Sequence, residues 1–293
     1  MQILKPTVEV WFPLEGEVTH IARCARVCYA SEKGDDNKLI QSLLARKHYS
    51  MFRHSGVYYI IPKNIEIALP SNATIYADFI NLEDCMLIAT NRQFALENMQ
   101  KYTEYEISYN DAIKDKRFLE NGLIRITFCV TTGIDITREL NRKSPNAIAE
   151  QSTRYVDFTK KIGIIFKHCH WMNGLNLYKY CLMRFMAWLD QCMYRVSRSK
   201  YGLNLKPEDA RWCLFLDTMS KAVYTYSVRQ WEYILNMRLF DYTGKAHPDT
   251  KIVAALIKLE LDKLGFHIRN YKELEEKTIS EATTKNVTKE EIK

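Results

Sequence analysis

The run LIRITFCVTT, residues 123–132, alternates apolar and polar side chains well enough for a half-buried β-strand. Gly133 ends it, and a helix is expected to open there and carry Arg138, Glu139 and Arg142. A strand handed straight to a charged helix constrains the chain more than any other feature. VYYIIP (57–62), CMLIATN (85–91), IGIIF (162–166) and TMSKAVYTYSV (218–228) also read as strands, being rich in β-branched and aromatic residues. Helical spacing appears in residues 16–30, 36–47, 228–240 and 247–264. Residues 174–201 read as a long apolar helix whose Met and aromatic stripe is expected to be core.

The stretch RKSPNAIAEQSTRY, 142–155, follows the charged helix. Pro145 pushes Ser144 away from helical geometry, so the helix should stop near Lys143. Glu150, Ser152 and Arg154 are spaced i, i+2, i+4 and share one face if the chain is extended. A carboxylate suits ribose hydroxyls, while a hydroxyl with a guanidinium suits phosphate oxygens. The competing reading is a surface strand with a Glu–Arg pair.

At 293 residues the chain can bury a large core. No apolar run approaches the roughly 18 residues of a membrane span, and the N-terminus has no signal-peptide pattern, so a cytoplasmic protein is expected. The 8 cysteines contain no CxxC pair. They read as buried thiols, and although His168-Cys169-His170 is dense in ligand types, its spacing fits no standard closed zinc site; no metal is expected. The net charge is +7. The segment from Lys272 holds 5 Lys and 6 Glu, so the basic excess lies in the body, as suits an anionic ligand. Residues 272–293 are poor in large apolar side chains and are expected to be disordered, leaving 1–271 as one domain.

Several segments together resemble the flavin-dependent thymidylate synthases, the thymidylate synthase-complementing or ThyX family. The family signature RHRxxSxNExSxR falls without gaps on RKSPNAIAEQSTR, 142–154. Arg142, Glu150, Ser152 and Arg154 match; Lys143, Ser144, Ala147 and Ala149 replace His, Arg, Ser and Asn. ARVCYAS (25–31), HYSMFRH (48–54), TRELNR (137–142), LKPEDARWCL (205–214) and VRQWEYILNMRLF with AHP (228–248) resemble further family blocks in family order. Residues 64–120 resemble an insertion.

The resemblance implies an α+β fold, a mixed sheet flanked by helices with a long-helix layer. It implies a homotetramer with active sites between subunits. The implied reaction is reductive methylation of dUMP to dTMP, with 5,10-methylenetetrahydrofolate as carbon donor, NADPH as reductant and FAD as hydride carrier. By the same resemblance Ser152 and Arg154 hold the dUMP phosphate with Arg211 nearby, and Thr153 is a further dUMP contact. Glu139, Arg142 and Glu150 line the sugar and flavin side. Arg238 faces the uracil and stabilises charge developing on the ring. His54, Arg142, Lys143, Ser144, Glu150, Arg229 and Tyr233 are the expected FAD contacts. Simpler roles compete: Arg211 paired with an acid on its own helix, Arg238 as a helix C-terminal cation, His54 as a half-buried strand-edge histidine. Two other functions also remain open: a family member acting on another pyrimidine nucleotide, and a non-enzymatic nucleic-acid-binding module, though no nucleic-acid motif appears.

Overall fold

The computed structural model describes residues 2–13, 16–31, 33–142, 147–159 and 163–275. Ten strands are present among them: β1 (Gln2–Leu4), β2 (Thr7–Trp11), β3 (Gly56–Pro62), β4 (Asp78–Asn81), β5 (Cys85–Asn91), β6 (Glu106–Ile107), β7 (Arg125–Gly133), β8 (Ile148–Glu150), β9 (Ile165–Lys167) and β10 (Met219–Ser227). They form one four-stranded sheet in the order β2-β7-β10-β8, a second in the order β4-β5-β3-β6, and the pair β1-β9. The fold is α+β. The mixed sheet is divided, however: both four-stranded sheets are antiparallel throughout and the parallel pairing is confined to β1 and β9.

The first sheet is sandwiched, and the pleat decides what each face meets. Ile126, Phe128 and Val130 of β7 point with Ala222, Tyr224 and Tyr226 of β10 into the largest core. There they meet Trp231, Ile234 and Leu235 of the helix Val228–Arg238, and Val253, Ile257 and Leu261 of the helix Pro248–Lys263. Cys129 and Val223, on the opposite face, pack with Trp11 and with Cys24 and Val27 of the helix Glu17–Val27. A strand covered on both faces is apolar nearly throughout, which is why LIRITFCVTT alternates only weakly.

The second sheet is built into the same core. Tyr58, Leu87 and Ala89 join Phe128 and Trp231, while Val57, Tyr59, Ile61 and Ile88 face a smaller cluster with Phe94 and Tyr102. The segment 64–120 therefore supplies three of the four strands of a sheet whose centre includes β3, and does not stand apart.

The helix Leu177–Arg198 overturns its expected role as core. Its inward residues are Ala187, Asp190, Gln191, Tyr194 and Ser197. Leu177, Tyr178, Phe185, Trp188 and Val196 are each more than half exposed. The apolar spacing is real, but the stripe faces outward from a single chain. Inward, Gln191 Nε2 donates to the Ile164 carbonyl at 2.8 Å. Asp190 is fully buried, and burial with the charge of Asp217 pushes its carboxyl up to about 7.

Where β7 ends, a buried ion pair fixes the turn into the helix Ile134–Leu140. The Lys167 side chain is fully buried, with Nζ 2.5 Å from Asp135 and 3.3 Å from Asp249. Burial opposes its charge, but the Asp135 carboxylate outweighs that and holds the ammonium above its ordinary range. Gly133 makes room for the pair. A Cβ there would lie 2.4 Å from Asp135 Oδ1 and 3.1 Å from Lys167 Cδ. Lys167→Met should leave both carboxylates without their cation and cost about 3–5 kcal/mol; urea unfolding that shows a loss below about 1 kcal/mol would make the pair dispensable.

Candidate functional site

The expected site residues gather in two places. In the first, the C-terminal end of the helix Val228–Arg238 meets the end of the helix Ile134–Leu140. Glu139 lies 4.0 Å from Arg238 and 3.6 Å from Arg142. Leu140, Arg142, Tyr233, Met237 and Arg238 line a depression of about 190 Å³. Arg238 does stand in the last helical turn, where a cation is favoured. It also faces Glu139, so the dipole is not its whole environment.

The second place is the turn after β8. Glu150 closes β8, opposite Ala222 of β10. The chain then leaves the sheet, so Ser152 and Arg154 lie in a turn and not along an extended strand as the spacing suggests. The Ser152 N–H bonds to the Cys28 carbonyl at 2.9 Å, which pulls the backbone away from β10. In the turn, the Arg154 N–H donates to Ser152 Oγ at 3.2 Å. Arg211, just past the short helix Pro207–Ala210, donates to Thr153 Oγ1 at 3.3 Å. Its partner is thus a hydroxyl of this turn, not an acid of its own helix. Arg154 lies 3.4 Å from Glu208, both side chains well exposed; such a pair holds its arginine by only about 0–1 kcal/mol. Two guanidiniums and two hydroxyls therefore converge on one exposed turn, a donor set made for an anion.

Glu150 joins the two places. Its carboxylate accepts from Thr137 Oγ1 at 2.7 Å, Ser220 Oγ at 3.1 Å and Asn141 Nδ2 at 3.3 Å. Thr137, Asn141 and Ser220 were not expected from the sequence. Thr137 and Asn141 are i, i+4 on the segment running into Arg142, and that shared helical face was the available signal. Ala147 and Ala149 are 3% and 1% exposed. These two departures from the signature are packed in the interior and leave the exposed donors unchanged.

The remaining residues lie elsewhere. Arg229 is exposed and lines a different cavity, with Gly122 and Phe266. Lys143 and Ser144 lie outside the described residues, as does the chain from 276 onward. His54 is 1% exposed and so is not at a strand edge or in a cleft. It ends a buried row in which His20 Nε2 meets Thr127 Oγ1 at 3.1 Å, Thr127 meets Thr225 at 2.8 Å, and Thr225 Oγ1 meets His54 Nδ1 at 2.9 Å.

The chain thus combines an α+β fold with an exposed turn bearing two arginines and a depression lined by two more. Residues 88–264 match the model of a family described as thymidylate synthase complementing protein, and the chain belongs to that family. No curated protein matches it. Among solved structures the chain is similar to the UMP/dUMP methylase PolB from Streptomyces cacaoi bound with 5-Br dUMP. The identity is 17% over 90% of this chain and 93% of that one, with a TM-score of 0.43. The same methylase bound with 5-Br UMP is 15% identical over 90% of this chain and 92% of that one, also at 0.43. Among the described residues no helix is long and apolar enough to cross a membrane.

The histidine row makes the fold acid-sensitive. Burial, with the charge of Arg23, lowers His20 to about 4; burial, with His20 and Arg125, lowers His54 to about 3. Both rings stay neutral in the folded chain but take up protons near pH 6.5 once unfolded. Their stabilisation is complete above pH 6.5 and is lost as pH falls toward 4, by about 1.4 kcal/mol per pH unit for each ring. Lowering the pH from 7 to 5 should cost the parent chain more stability than it costs His54→Asn, the raised Asp190 carboxyl acting in the opposite sense in both; equal changes in urea unfolding free energy for the two proteins would refute the assignment.

Proposed function

We propose that the protein converts dUMP to dTMP, drawing the carbon from methylenetetrahydrofolate and the reducing equivalents from NADPH. The observation that carries this reading is the exposed turn on which Arg154, Arg211, Ser152 and Thr153 meet, in a chain of this family. Those groups hold the phosphate of the nucleotide. Glu208 is displaced from Arg154 when phosphate arrives. Arg238 sits at the pyrimidine and offsets negative charge on the ring oxygen as the ring is reduced. Glu139 orients Arg238, and Glu150 keeps the helix bearing Glu139 fixed against β10.

Arg142 and Tyr233, in one depression, fit part of a flavin dinucleotide by donor chemistry, while Arg229, one helical turn before Tyr233, lines a separate cavity. Guanidiniums pair with the diphosphate and the phenol ring offers a stacking face. FAD, when bound there, supplies the hydride transfer that no side chain can perform. His54, buried as it is, does not fit that role and instead supports the sheet.

A depression of about 190 Å³ is too small for such a ligand, since pockets for drug-sized molecules run to about 300–1,000 Å³. The outward apolar face of the helix Leu177–Arg198 supports the same conclusion, because a contiguous apolar surface of this kind marks an interface. Copies of this chain, four by family resemblance, cover one another there and complete the sites.

Six of the eight thiols are poor nucleophiles. Burial pushes the thiols of Cys24, Cys28, Cys85 and Cys213 up, that of Cys129 to about 11 and that of Cys169 to about 12. Thiolate, the reactive form, is therefore suppressed at all six.

The purified protein should show flavin absorption bands, or acquire them with added FAD, and form dTMP from dUMP. A protein that stays colourless with FAD and releases no tritium from the C5 position of dUMP would end this reading. One charge-assisted contact is worth about 1.5–3 kcal/mol, so Arg154→Ala should weaken dUMP binding roughly ten- to a hundredfold; unchanged affinity by calorimetry would remove Arg154 from the site. Cys28→Ser should retain dTMP formation, and loss of turnover with a native flavin spectrum and melt would restore a cysteine to the mechanism.

A further inference from the structure

We propose that His170, His247 and Asp249 form a binding site for a zinc-type divalent cation. One ligand atom from each residue falls within 4.8 Å of the others. The residues come from two separate parts of the chain. His170 opens the 3₁₀ turn His170–Met172, which precedes the long helix. His247 caps the helix Pro248–Lys263, and Asp249 lies in its first turn.

The geometry is that of an open three-ligand site. Asp249 is 1% exposed, while the side chains of His170 and His247 are 38% and 47% exposed. A buried anionic floor thus stands beneath two imidazoles at the mouth. The rings are 5.4 Å apart and nearly perpendicular, at 79°. Nδ1 of His170 lies 3.3 Å from Asp249 Oδ1, yet it has no aligned hydrogen bond. A tetrahedral ion with bonds of about 2.0–2.1 Å holds its ligand atoms roughly 3.3–3.5 Å apart. The His170–Asp249 pair is already at that spacing. Nδ1 of His247 is 4.0 Å from the other carboxylate oxygen, Oδ2, and accepts the Asp249 N–H at 3.3 Å, so this imidazole gives up that capping bond and turns inward when it ligates the ion. The half-exposed mouth leaves a fourth position for water.

Charge and hydrogen bonding permit the ion. Lys167 is its competitor, at 3.3 Å from Asp249 Oδ2, but Asp135 holds that ammonium closer, at 2.5 Å. One cation thus faces two carboxylates, and a negative charge remains to be met. Asp249 Oδ1 accepts only the His170 N–H, at 2.7 Å, and keeps a lone pair for a metal. Two imidazoles and a carboxylate suit zinc among common divalent ions. Neighbouring Cys169 is not a ligand, since its buried thiol turns back to the Lys167 carbonyl. The ion ties the turn before the long helix to the start of the helix Pro248–Lys263.

Cobalt(II) titration of the untagged full chain, stripped with chelator, tests the site. One cobalt per chain is expected, with the intense visible absorption of a tetrahedral ion, displaced by zinc. His170→Gln and His247→Asn, the latter keeping a helix-capping oxygen, should each weaken cobalt binding at least tenfold. Zinc should raise the melting midpoint of the parent chain and not of the double variant. Absence of saturable binding, or equal affinity in the double variant, would overturn the proposal. Should the variants fail to fold, acylation of the parent chain by diethyl pyrocarbonate decides: zinc should shield two histidines, and unchanged modification would overturn the site.

Discussion

The register between β7 and β10 sets the position of nearly everything else. Nine residues pair, from Arg125 opposite Ser227 to Gly133 opposite Met219. Each strand runs directly into a helix, β7 at Gly133 and β10 at Ser227, so the two helices leave from opposite ends of one ribbon. Nine strand residues span about 30 Å. Helices of 7 and 11 residues span about 10 and 16 Å. Packed back over the same face, they cover most of that length and meet end to end. Glu139 and Arg238 stand at the meeting point, 99 residues apart in sequence and 4.0 Å apart in space. Slipping the register by one residue would turn Ile126, Phe128 and Val130 out of the core and separate those tips.

Local pattern revealed the strands and helices because local forces make them. Strand β5 occupies Cys85–Asn91, the run read from its composition, and the helix after Gly133 begins where the pattern changes. Pairing partners were not legible in the same way. The i, i+2, i+4 spacing of Glu150, Ser152 and Arg154 suggested a strand, but the Cys28 carbonyl captures the Ser152 N–H from far along the chain. His54 looked like an edge residue until Thr225 was placed against it. Apolar periodicity in residues 174–201 announced a buried face without saying which molecule buries it. Arg154 and Arg211 were legible as cations from their segments, whereas the convergence of Arg211 on Thr153 depends on the whole path of the chain between them.

The inverted helix and the divided site belong to one constraint. A chain that turns Asp190, Gln191 and Ser197 inward and Phe185, Trp188 and Val196 outward buries polar groups, of which Gln191 bonds to the Ile164 carbonyl while both carboxylate oxygens of Asp190 lack a hydrogen-bond partner. The helix is anchored by Ala187 and Tyr194, which pack with Phe158, Ile164 and Phe166, and by the ion pair of Arg198 with Asp157 at 2.6 Å. Such an element presents a fixed apolar surface to its surroundings.

The crowding at Gly133 also restricts how this protein can change over generations. The strand end, the buried ammonium and its carboxylate occupy one small volume, and each has the shape it has because of the other two. Substitutions in such a knot do not add. A larger residue at 133 is tolerated only after Asp135 or Lys167 has shortened, and either shortening is harmful while the other charge persists. The corner can drift only by paired replacements, so descendants of this chain should retain all three residues or exchange them together.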